Sequence, residues 1–390
     1  MIHRDLYIKK IRDQFNVHNV VAILGPRQCG KTTLSKDYIK DIAKNQQEFS
    51  EENYFDLENP YHLARLDNPM LTLSALRGLV IIDEIQRRPD IFPIIRVLND
   101  DDNLKQQYLI LGSASRDLIK QSSETLAGRI GYVELCPFSL EEVEDFTKLW
   151  IRGGFPKSFL AENAKFSDMW KQEYIRTFLE RDIPNLGINI PSLKLRKFWY
   201  MLTHYHGNLF NASELGRSLG ISYNTAISYL DILVGTFMIR QLQPWHENLK
   251  KRQVKASKIY FRDSGLLHTL MDIDSIVRLE LHPKLGASWE GYALEEIIRK
   301  HNKNPEECFF WSTYSGAEID LMFFESGKKI GFEFKYCDAP RLTRSMQVAL
   351  TALELSEIRV IYPGSKNYRI HDKISVISLR TYISNYNTDY

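Results

Sequence analysis

A glycine-rich octapeptide directly after a short apolar run constrains the fold of this chain more than any other feature. The run extends from Val20 to Leu24, and its aliphatic and β-branched side chains predict a buried parallel strand. The octapeptide, residues 25–32, has the pattern Gly-x-x-x-x-Gly-Lys-Thr, and a helical pattern starts at Thr33. A strand, a glycine-rich turn and a helix in this order predict a P-loop, whose main-chain N–H groups and helix N-terminus face phosphate oxygens.

The P-loop predicts an ATP site with a bound Mg²⁺. The expected nucleotide-binding residues are those of the loop and of the first helical position: Gly25, Pro26, Arg27, Gln28, Cys29, Gly30, Lys31, Thr32 and Thr33. We expect Lys31 to reach the β- and γ-phosphates and the Thr32 hydroxyl to ligate Mg²⁺. The chain is therefore expected to bind ATP and to hydrolyse it.

Two further apolar runs predict parallel strands with polar residues at their carboxyl ends, where ligands of open α/β sheets bind. The first run ends at Asp83 and Glu84. We expect Asp83 to hold the metal ion, directly or through water, and Glu84 to act as general base on the attacking water. The second run leads to Ser113, a candidate sensor of the γ-phosphate. Alternatively, the small residues around Ser113 only cap a helix that begins near Arg116.

Six short motifs are spread over most of the chain. They are Gly25 to Thr33, Asp83 to Gln86, Leu126 to Arg129, Pro137 to Ser139, Arg181 to Ile183 and Tyr260 to Leu266. Together they resemble the bacterial and archaeal AAA-like ATPases that carry an uncharacterised C-terminal domain. The resemblance implies an arginine that reaches the γ-phosphate, with Arg129 as the first candidate and Arg181 as its rival. By analogy it also implies a homo-oligomer in which the arginine crosses a subunit interface, although either arginine could instead form a structural ion pair.

The middle of the chain predicts helices of two kinds. From Ser139 to Leu186 the helical pattern is broken at residues 153–156, and we interpret this segment as a lid that packs beside the nucleotide. A helix-turn-helix follows, with a short helix capped by Asn211 and a turn at Gly220. Its second helix carries an apolar face, formed by Ile227, Leu230 and Leu233.

The opposite face of that second helix suits contacts to DNA. Its outward side chains are expected to be Ser222, Tyr223, Asn224, Thr225 and Ser228, which fit phosphates and base edges in a major groove. A basic cluster is expected to contact the DNA backbone from a wing: Lys250, Lys251, Arg252, Lys255 and Lys258. The helix itself lacks Lys and Arg between Tyr223 and Val234. The alternative is therefore a protein-binding or spacer module with a solvated lysine loop.

Acidic residues on a helix and on two strands dominate the last part of the chain. Residues 289–296 predict the helix and carry Glu290, and residues 318–323 predict a strand with Asp320. On the next strand Glu333 and Lys335 share a face, because side chains alternate with period two. This layout resembles the PD-(D/E)xK nuclease pattern. The resemblance implies that Asp320, Glu333 and Glu290 hold Mg²⁺ while Lys335 positions the water, whereas a simple surface ion pair is the alternative.

These patterns together predict an α/β protein of four parts. They are a P-loop NTPase core with a parallel sheet at 1–136, a helical lid at 137–192, a winged helix-turn-helix at 193–262 and a small α/β nuclease-like domain at 263–390. The leading interpretation is an ATPase that acts on DNA, in which ATP turnover gates the nuclease-like module. The alternative is a nucleotide-dependent switch that binds a protein partner and has an inactive nuclease fold.

Amino-acid composition limits the molecules that the chain is expected to bind and the compartment in which it is expected to lie. The 51 Lys and Arg residues against 49 acidic residues leave a net charge of +2, so affinity for nucleic acid requires a local basic patch. The four cysteines, residues 29, 136, 308 and 337, lack the spacing of zinc sites or disulfide frameworks, which favours free thiols in a reducing compartment. The apolar runs are too short to span a membrane and the N-terminus is charged, so we expect a cytoplasmic protein without a membrane partner.

Overall fold

The computed structural model describes residues 2–44, 49–101, 103–113, 126–246 and 254–385. The chain divides into two compact units. The first comprises Met1–Pro137 with Gly235–Phe237, and the second comprises Phe138–Val234 with Met238–Tyr390. The finer division into four parts stays a prediction. Among the described residues no helix combines the length and the apolar character that crossing a bilayer requires.

The described part of the first unit contains a five-stranded parallel sheet with the strand order β2-β3-β4-β1-β5. The strands are β1 (Val20–Gly25), β2 (Tyr54–Asp56), β3 (Gly78–Asp83), β4 (Gln106–Ser113) and β5 (Ile130–Glu134). In this order β4 lies between β1 and β3, and every neighbouring pair is parallel. All carboxyl ends therefore meet at one edge of the sheet, and the predicted parallel α/β core is confirmed.

Helices cover both faces of this sheet. The described ones are α1 (Asp5–Phe15), α2 (Lys31–Lys44), α3 (Pro60–Arg65), α4 (Pro69–Ser74) and α5 (Ile91–Asn99). Because side chains alternate along β1, Val20 and Ala22 enter one apolar core with α5, while Val21 and Ile23 enter another with α1 and α2. Burial on both faces explains why β1 is apolar at nearly every position.

The second unit begins with a helical region. Its described helices, including those nearer the C-terminus, are α6 (Leu140–Val143), α7 (Phe146–Arg152), α8 (Pro156–Phe159), α9 (Ala164–Thr177), α10 (Ile183–Asn185), α11 (Ser192–Leu202), α12 (Ala212–Leu219), α13 (Tyr223–Gly235), α14 (Ser264–Leu270), α15 (Ile276–Glu280), α16 (Leu285–Lys300), α17 (Arg344–Ala352) and α18 (Leu379–Asn385). A π-helical turn, Phe178–Asp182, joins α9 to α10. One apolar core, which includes Phe198, Trp199 and Leu230, packs α9 and α11 to α14 together.

A mixed sheet of nine strands follows in the described residues, with the order β13-β14-β12-β11-β10-β9-β7-β8-β6. The strands are β6 (Asn208–Leu209), β7 (Ile239–Pro244), β8 (Lys258–Phe261), β9 (Phe309–Ser312), β10 (Glu318–Glu325), β11 (Lys328–Phe334), β12 (Glu357–Tyr362), β13 (Tyr368–His371) and β14 (Ile374–Ser378). The pairs β10–β11 and β7–β8 are antiparallel, whereas β11–β12, β12–β14 and β7–β9 are parallel.

The predicted helix-turn-helix segment consists of α12 and α13, preceded by α11 and followed by the antiparallel pair β7–β8. The Asn211 side chain accepts a hydrogen bond from the Glu214 N–H at 3.1 Å, which caps α12, and Gly220 ends that helix with a φ of 65°. Of the predicted basic wing, residues 250–252 lie outside the described residues, as does the helix start expected near Arg116.

Candidate functional site

The turn between β1 and α2 has the backbone that a phosphate-binding loop needs. Gln28 and Gly30 take positive φ angles of 61° and 100°, which turn the chain tightly enough to direct main-chain N–H groups inward. Gly25 leaves no room for a side chain, since a Cβ there would lie 2.1 Å from the carbonyl oxygen of Leu135. The first glycine of the motif is therefore required by packing and the second by backbone conformation.

Lys31 lies over this loop. Its side chain is buried, and Nζ donates to the carbonyl oxygens of Gly25 and Pro26, both at 2.9 Å. Arg27 pairs with the carboxylate of Glu58. These contacts hold two positive charges beside the loop, where phosphate oxygens would be bound.

The remaining predicted loop residues differ in exposure. Cys29 is buried, and burial raises the pKa of its thiol, so a reactive thiolate is not expected there. The Arg4 guanidinium donates to the Cys29 carbonyl oxygen at 3.3 Å and supports the loop from behind. Thr33 is exposed on the first turn of α2.

Thr32 and Asp83 offer two oxygen atoms that fit a magnesium ion. The Thr32 hydroxyl donates to Asp83 Oδ2 at 2.6 Å, although the two residues lie 51 positions apart. The Tyr54 hydroxyl donates to the same oxygen at 3.2 Å, and the Glu84 N–H donates to Asp83 Oδ1 at 2.9 Å. Burial raises the pKa of the Asp83 carboxyl, while the hydrogen bond from Thr32 acts in the opposite direction. Hydroxyl and carboxylate oxygens are the ligands that Mg²⁺ prefers in proteins.

Glu84 is held in a fixed orientation next to this pair. Its backbone has φ 58° and ψ 42°, a left-handed conformation that is uncommon for a residue with a Cβ and is concentrated at functional sites. Glu84 Oε2 accepts a hydrogen bond from Ser113 Oγ at 2.9 Å and another from the Gln86 amide. Gln86 Nε2 also lies 3.3 Å from Ser113 Oγ.

Strand order explains why Ser113 belongs to this arrangement. Ser113 pairs in register with Gly25, the first residue of the loop, and β4 separates the strand that carries the loop from the strand that carries Glu84. The structure therefore places Lys31, Thr32, Asp83, Glu84 and Ser113 at one edge of one sheet.

The candidate arginine of the first unit, Arg129, does not join this edge in the way the resemblance implies. Arg129 forms two hydrogen bonds with Asp100, at 2.6 and 3.0 Å, on the surface of the first unit. It precedes β5, whose first residue pairs with Val20, so Arg129 lies at the sheet edge opposite to the loop of its own chain. Arg181 belongs to the second unit, is exposed, and lies 3.4 Å from Asp182. An arginine contribution stays a prediction, and Arg129 could make it only to another copy of the chain.

The acidic residues predicted near the C-terminus meet in one cluster. Lys335 Nζ lies 2.6 Å from Glu333 and 3.9 Å from Asp320. Lys258 Nζ lies 3.4 Å from Glu290 and 3.8 Å from Asp320. It also pairs with Glu318, a residue that the sequence interpretation left out. The cluster therefore contains four carboxyl groups and two ammonium groups.

Burial controls the charges of this cluster. Together with the nearby Asp320 carboxylate, it raises the pKa of Glu290 to about 7 and the pKa of Glu333 to about 8. Burial acts to lower the pKa of Lys258, yet the surrounding acidic groups raise it well above its usual range. Two ammonium groups therefore lie among four carboxyl groups, two of which have raised pKa values.

A divalent metal ion does not fit the cluster as it is arranged. Within the described ranges no group of three or more Asp, Glu, His or Cys side chains is placed to hold a metal ion. The ammonium of Lys258 lies among the carboxylates that would have to serve as ligands. The metal-binding role expected for Glu290, Asp320 and Glu333 stays a prediction, and we derive no chemical step from it.

Four residues of these sites escaped the sequence interpretation of their roles: Tyr54, Gln86, Lys258 and Glu318. Tyr54 and Gln86 contact Asp83 and Glu84, and only the placement of Gln86 directly after the Asp-Glu-Ile motif hinted at its part. Lys258 was assigned to a DNA-contacting wing, and that assignment was wrong, because only 6% of its side chain is exposed and its ammonium pairs with carboxylates. The alternation of Lys258 and Tyr260 along β8 could have indicated a shared inner face.

The exposed face of α13 agrees in part with the expectation for DNA contact. Ser222, Tyr223, Asn224 and Ser228 are exposed, while Thr225 is half-buried. The Ser222 hydroxyl accepts from the Thr225 N–H at 3.1 Å, so it caps the helix. Among the predicted wing residues that the structure describes, Lys255 is exposed.

Comparisons with family models divide the chain into three regions. An AAA domain matches residues 17–144, a domain of unknown function (DUF8612) matches residues 143–276, and a second domain of unknown function (DUF4143) matches residues 285–382. The first match agrees with the P-loop geometry at the carboxyl edge of the five-stranded sheet. The other two cover most of the second unit and carry no statement of activity.

Two solved structures share distant likeness with the chain. A Walker-type ATPase of Pyrococcus abyssi has 15% sequence identity and a TM-score of 0.42, over 70% of this chain and 96% of that one. The Drosophila ORC bound to DNA has 11% identity and a TM-score of 0.26, over 70% of this chain and 87% of that one. These TM-scores are too low for either likeness to bear on the function of this chain.

Two mycobacterial proteins are much more similar. They are "Uncharacterized protein Rv2008c" of Mycobacterium tuberculosis and "Uncharacterized protein Mb2031c" of Mycobacterium bovis. Each is 44% identical to this chain over 379 residues, which cover 97% of the chain and 84% of the relative. The chain therefore belongs to the family of these mycobacterial proteins, with an AAA domain followed by two domains of unknown function.

Proposed function

We propose that the first unit binds ATP together with Mg²⁺ and hydrolyses it. The observation that carries this proposal is the alignment of three elements along one sheet edge: the phosphate-binding loop, the Thr32–Asp83 oxygen pair and the Glu84–Ser113 hydrogen bond. The AAA domain matched over residues 17–144 supports the same chemistry.

Each of these side chains has a separate task. The N–H groups of the loop and the Lys31 ammonium bind and orient the phosphates, and Thr32 with Asp83 would hold the metal. When bound, Mg²⁺ offsets the negative charge of the phosphate oxygens. Glu84 accepts a proton from the attacking water, and Ser113 keeps the Glu84 carboxylate in place.

The test separates binding from turnover. Lys31→Ala is expected to weaken ATP binding in titration calorimetry, because it removes the ammonium over the loop. Glu84→Gln is expected to retain binding but to lower phosphate release by about a hundredfold or more, since it removes the base. Glu51→Gln, an exposed carboxylate of the same unit, serves as the control. An unaltered chain that neither binds Mg·ATP nor releases phosphate would refute the proposal.

We further propose that the second unit binds DNA and that ATP turnover in the first unit controls this binding. Support comes from the arrangement of α11, α12 and α13 with the β7–β8 pair, which is the order expected of a winged helix-turn-helix. The exposed polar residues of α13 and the exposed Lys255 are placed to contact a DNA backbone. The proposal predicts that DNA stimulates phosphate release, measured with single-stranded, duplex and branched DNA. Equal rates with and without every DNA would count decisively against it.

A second candidate function is a nucleotide-dependent switch that binds a protein partner. The observation that favours it is the lack of Lys and Arg between Tyr223 and Val234. Exposed apolar side chains, Leu193 and Tyr200, also line a cavity of about 590 Å³ beside α11, and such surfaces often mark protein contacts. This candidate predicts a protein that co-purifies in one nucleotide state only and no DNA cleavage with any metal.

A further inference from the structure

Lys258 is held rigidly at the centre of the acidic cluster. It begins β8, which pairs with β7 on one side and with β6 on the other, so its backbone is fixed by both neighbours. Its ammonium lies within ion-pair distance of Glu290, Glu318 and Asp320. Only 6% of the Lys258 side chain is exposed, so its charge faces these carboxylates rather than solvent.

Donors of the chain itself contact oxygens of two carboxylates that a metal ion would need, those of Glu290 and Asp320. Glu290 Oε1 accepts from the Tyr260 hydroxyl at 2.6 Å and from Lys258 at 3.4 Å. Asp320 Oδ2 accepts from the Phe334 N–H at 3.0 Å, and Asp320 Oδ1 faces Lys258 at 3.8 Å. A divalent ion bound to these oxygens would compete with their donors and lie close to the Lys258 ammonium.

We infer that Lys258 is the resident cation of this cluster, taking the place that a divalent metal ion would occupy in a nuclease of this layout. The Lys258 ammonium then compensates the charge of carboxylates that burial would otherwise leave unpaired. Metal-dependent cleavage of nucleic acid is not an activity of this unit. The inference concerns the second unit alone and does not depend on whether the first unit hydrolyses ATP.

Manganese binding tests this inference in the full chain without nucleotide. Free Mn²⁺ is measured by electron paramagnetic resonance during titration of the unaltered chain, Asp320→Asn, Lys258→Met and the double variant. The unaltered chain and Asp320→Asn are expected to bind the same amount of Mn²⁺. Lys258→Met, which keeps the length of the side chain but removes its charge, is expected to bind about one equivalent of Mn²⁺ more than the unaltered chain. The double variant, which combines Lys258→Met with Asp320→Asn, is expected not to bind this additional equivalent. Lys255→Met, an exposed lysine nearby, is expected to gain none.

Each outcome has a definite meaning. The inference fails if the unaltered chain binds an equivalent of Mn²⁺ that Asp320→Asn loses, or if it cleaves DNA with Mn²⁺ and Glu333→Gln abolishes cleavage. It also fails if a folded Lys258→Met, checked by circular dichroism, gains no Mn²⁺. If Lys258→Met does not fold, the inference is still tested by comparing Mn²⁺ binding of the unaltered chain with that of Asp320→Asn. Phosphate release from ATP, measured in the same samples, reports separately on the first unit.

Discussion

At the scale of single residues, the hydrogen bonds around Glu84 determine how well it can act as a base. Gln86 donates to the Glu84 carboxylate and lies 3.3 Å from Ser113, so it helps to orient the carboxylate. We predict that Gln86→Ala lowers kcat about tenfold or more, the effect of losing a hydrogen bond to a charged group, and leaves KM for ATP nearly unchanged. Steady-state phosphate release measures both constants.

The exposed neighbour in the same turn provides the control. Arg87→Ala removes a side chain that only approaches Glu58, at 3.9 Å, and should leave both constants unaltered. A Gln86→Ala enzyme with raised KM and normal kcat would show that Gln86 helps to bind nucleotide instead of positioning Glu84.

These residues also differ in how readily their place in the site could be predicted from the sequence. Lys31, Thr32, Asp83 and Glu84 could be assigned because a P-loop and a strand end specify their surroundings over a few consecutive residues. Tyr54 could not, because its contact with Asp83 arises from the pairing of β2 with β3. A contact that depends on strand order leaves no local pattern.

At the scale of elements, ion pairs join β7 and the residue after β8 to α16. Glu295 of α16 pairs with Arg240 of β7 and lies near Arg262 and Arg299. Burial alone would raise the pKa of Glu295, but these arginines hold it at about 2. The carboxylate therefore stays charged throughout the physiological range and ties the β7–β8 pair to the helix that carries Glu290.

The presence of a strand was easier to predict from the sequence than the strand with which it pairs. The apolar and polar alternation of residues 318–323 indicated a strand, and β10 spans Glu318–Glu325. The pairing of β7 with β9 was not predictable, since 65 residues separate Gln243 from Phe309. That pairing joins the predicted wing strands and the predicted nuclease-like strands into one continuous sheet.

At the scale of the whole molecule, buried carboxyl groups should make the stability of the second unit depend on pH. The second unit contains Glu290 and Glu333, whose pKa values of about 7 and about 8 lie above the ordinary value of 4.5. A carboxyl group with a raised pKa in the folded state binds its proton more tightly there than in the unfolded chain. Its stabilising effect is complete below pH 4.5 and is lost as pH rises through 7 and 8.

We therefore predict that Glu290 and Glu333 lower the stability of the second unit between pH 5 and pH 8, by at most about 1.4 kcal/mol per pH unit for each group. Below about pH 6.5 the buried His206, His268 and His301 act in the opposite direction, because burial lowers their pKa values to about 3, about 3 and about 4. The contribution of Glu333 is therefore the difference in slope between the unaltered chain and Glu333→Gln. Calorimetric unfolding of the full chain at several pH values measures this slope, and ATP analogues that bind the first unit identify its transition. Glu333→Gln removes one titrating group and should make the slope more positive, whereas Glu280→Gln, an exposed carboxylate of the same unit, should not. Equal slopes for the unaltered chain and Glu333→Gln would mean that Glu333 is already ionised below pH 5. The Lys335 ammonium, 2.6 Å from its carboxylate, would then outweigh burial.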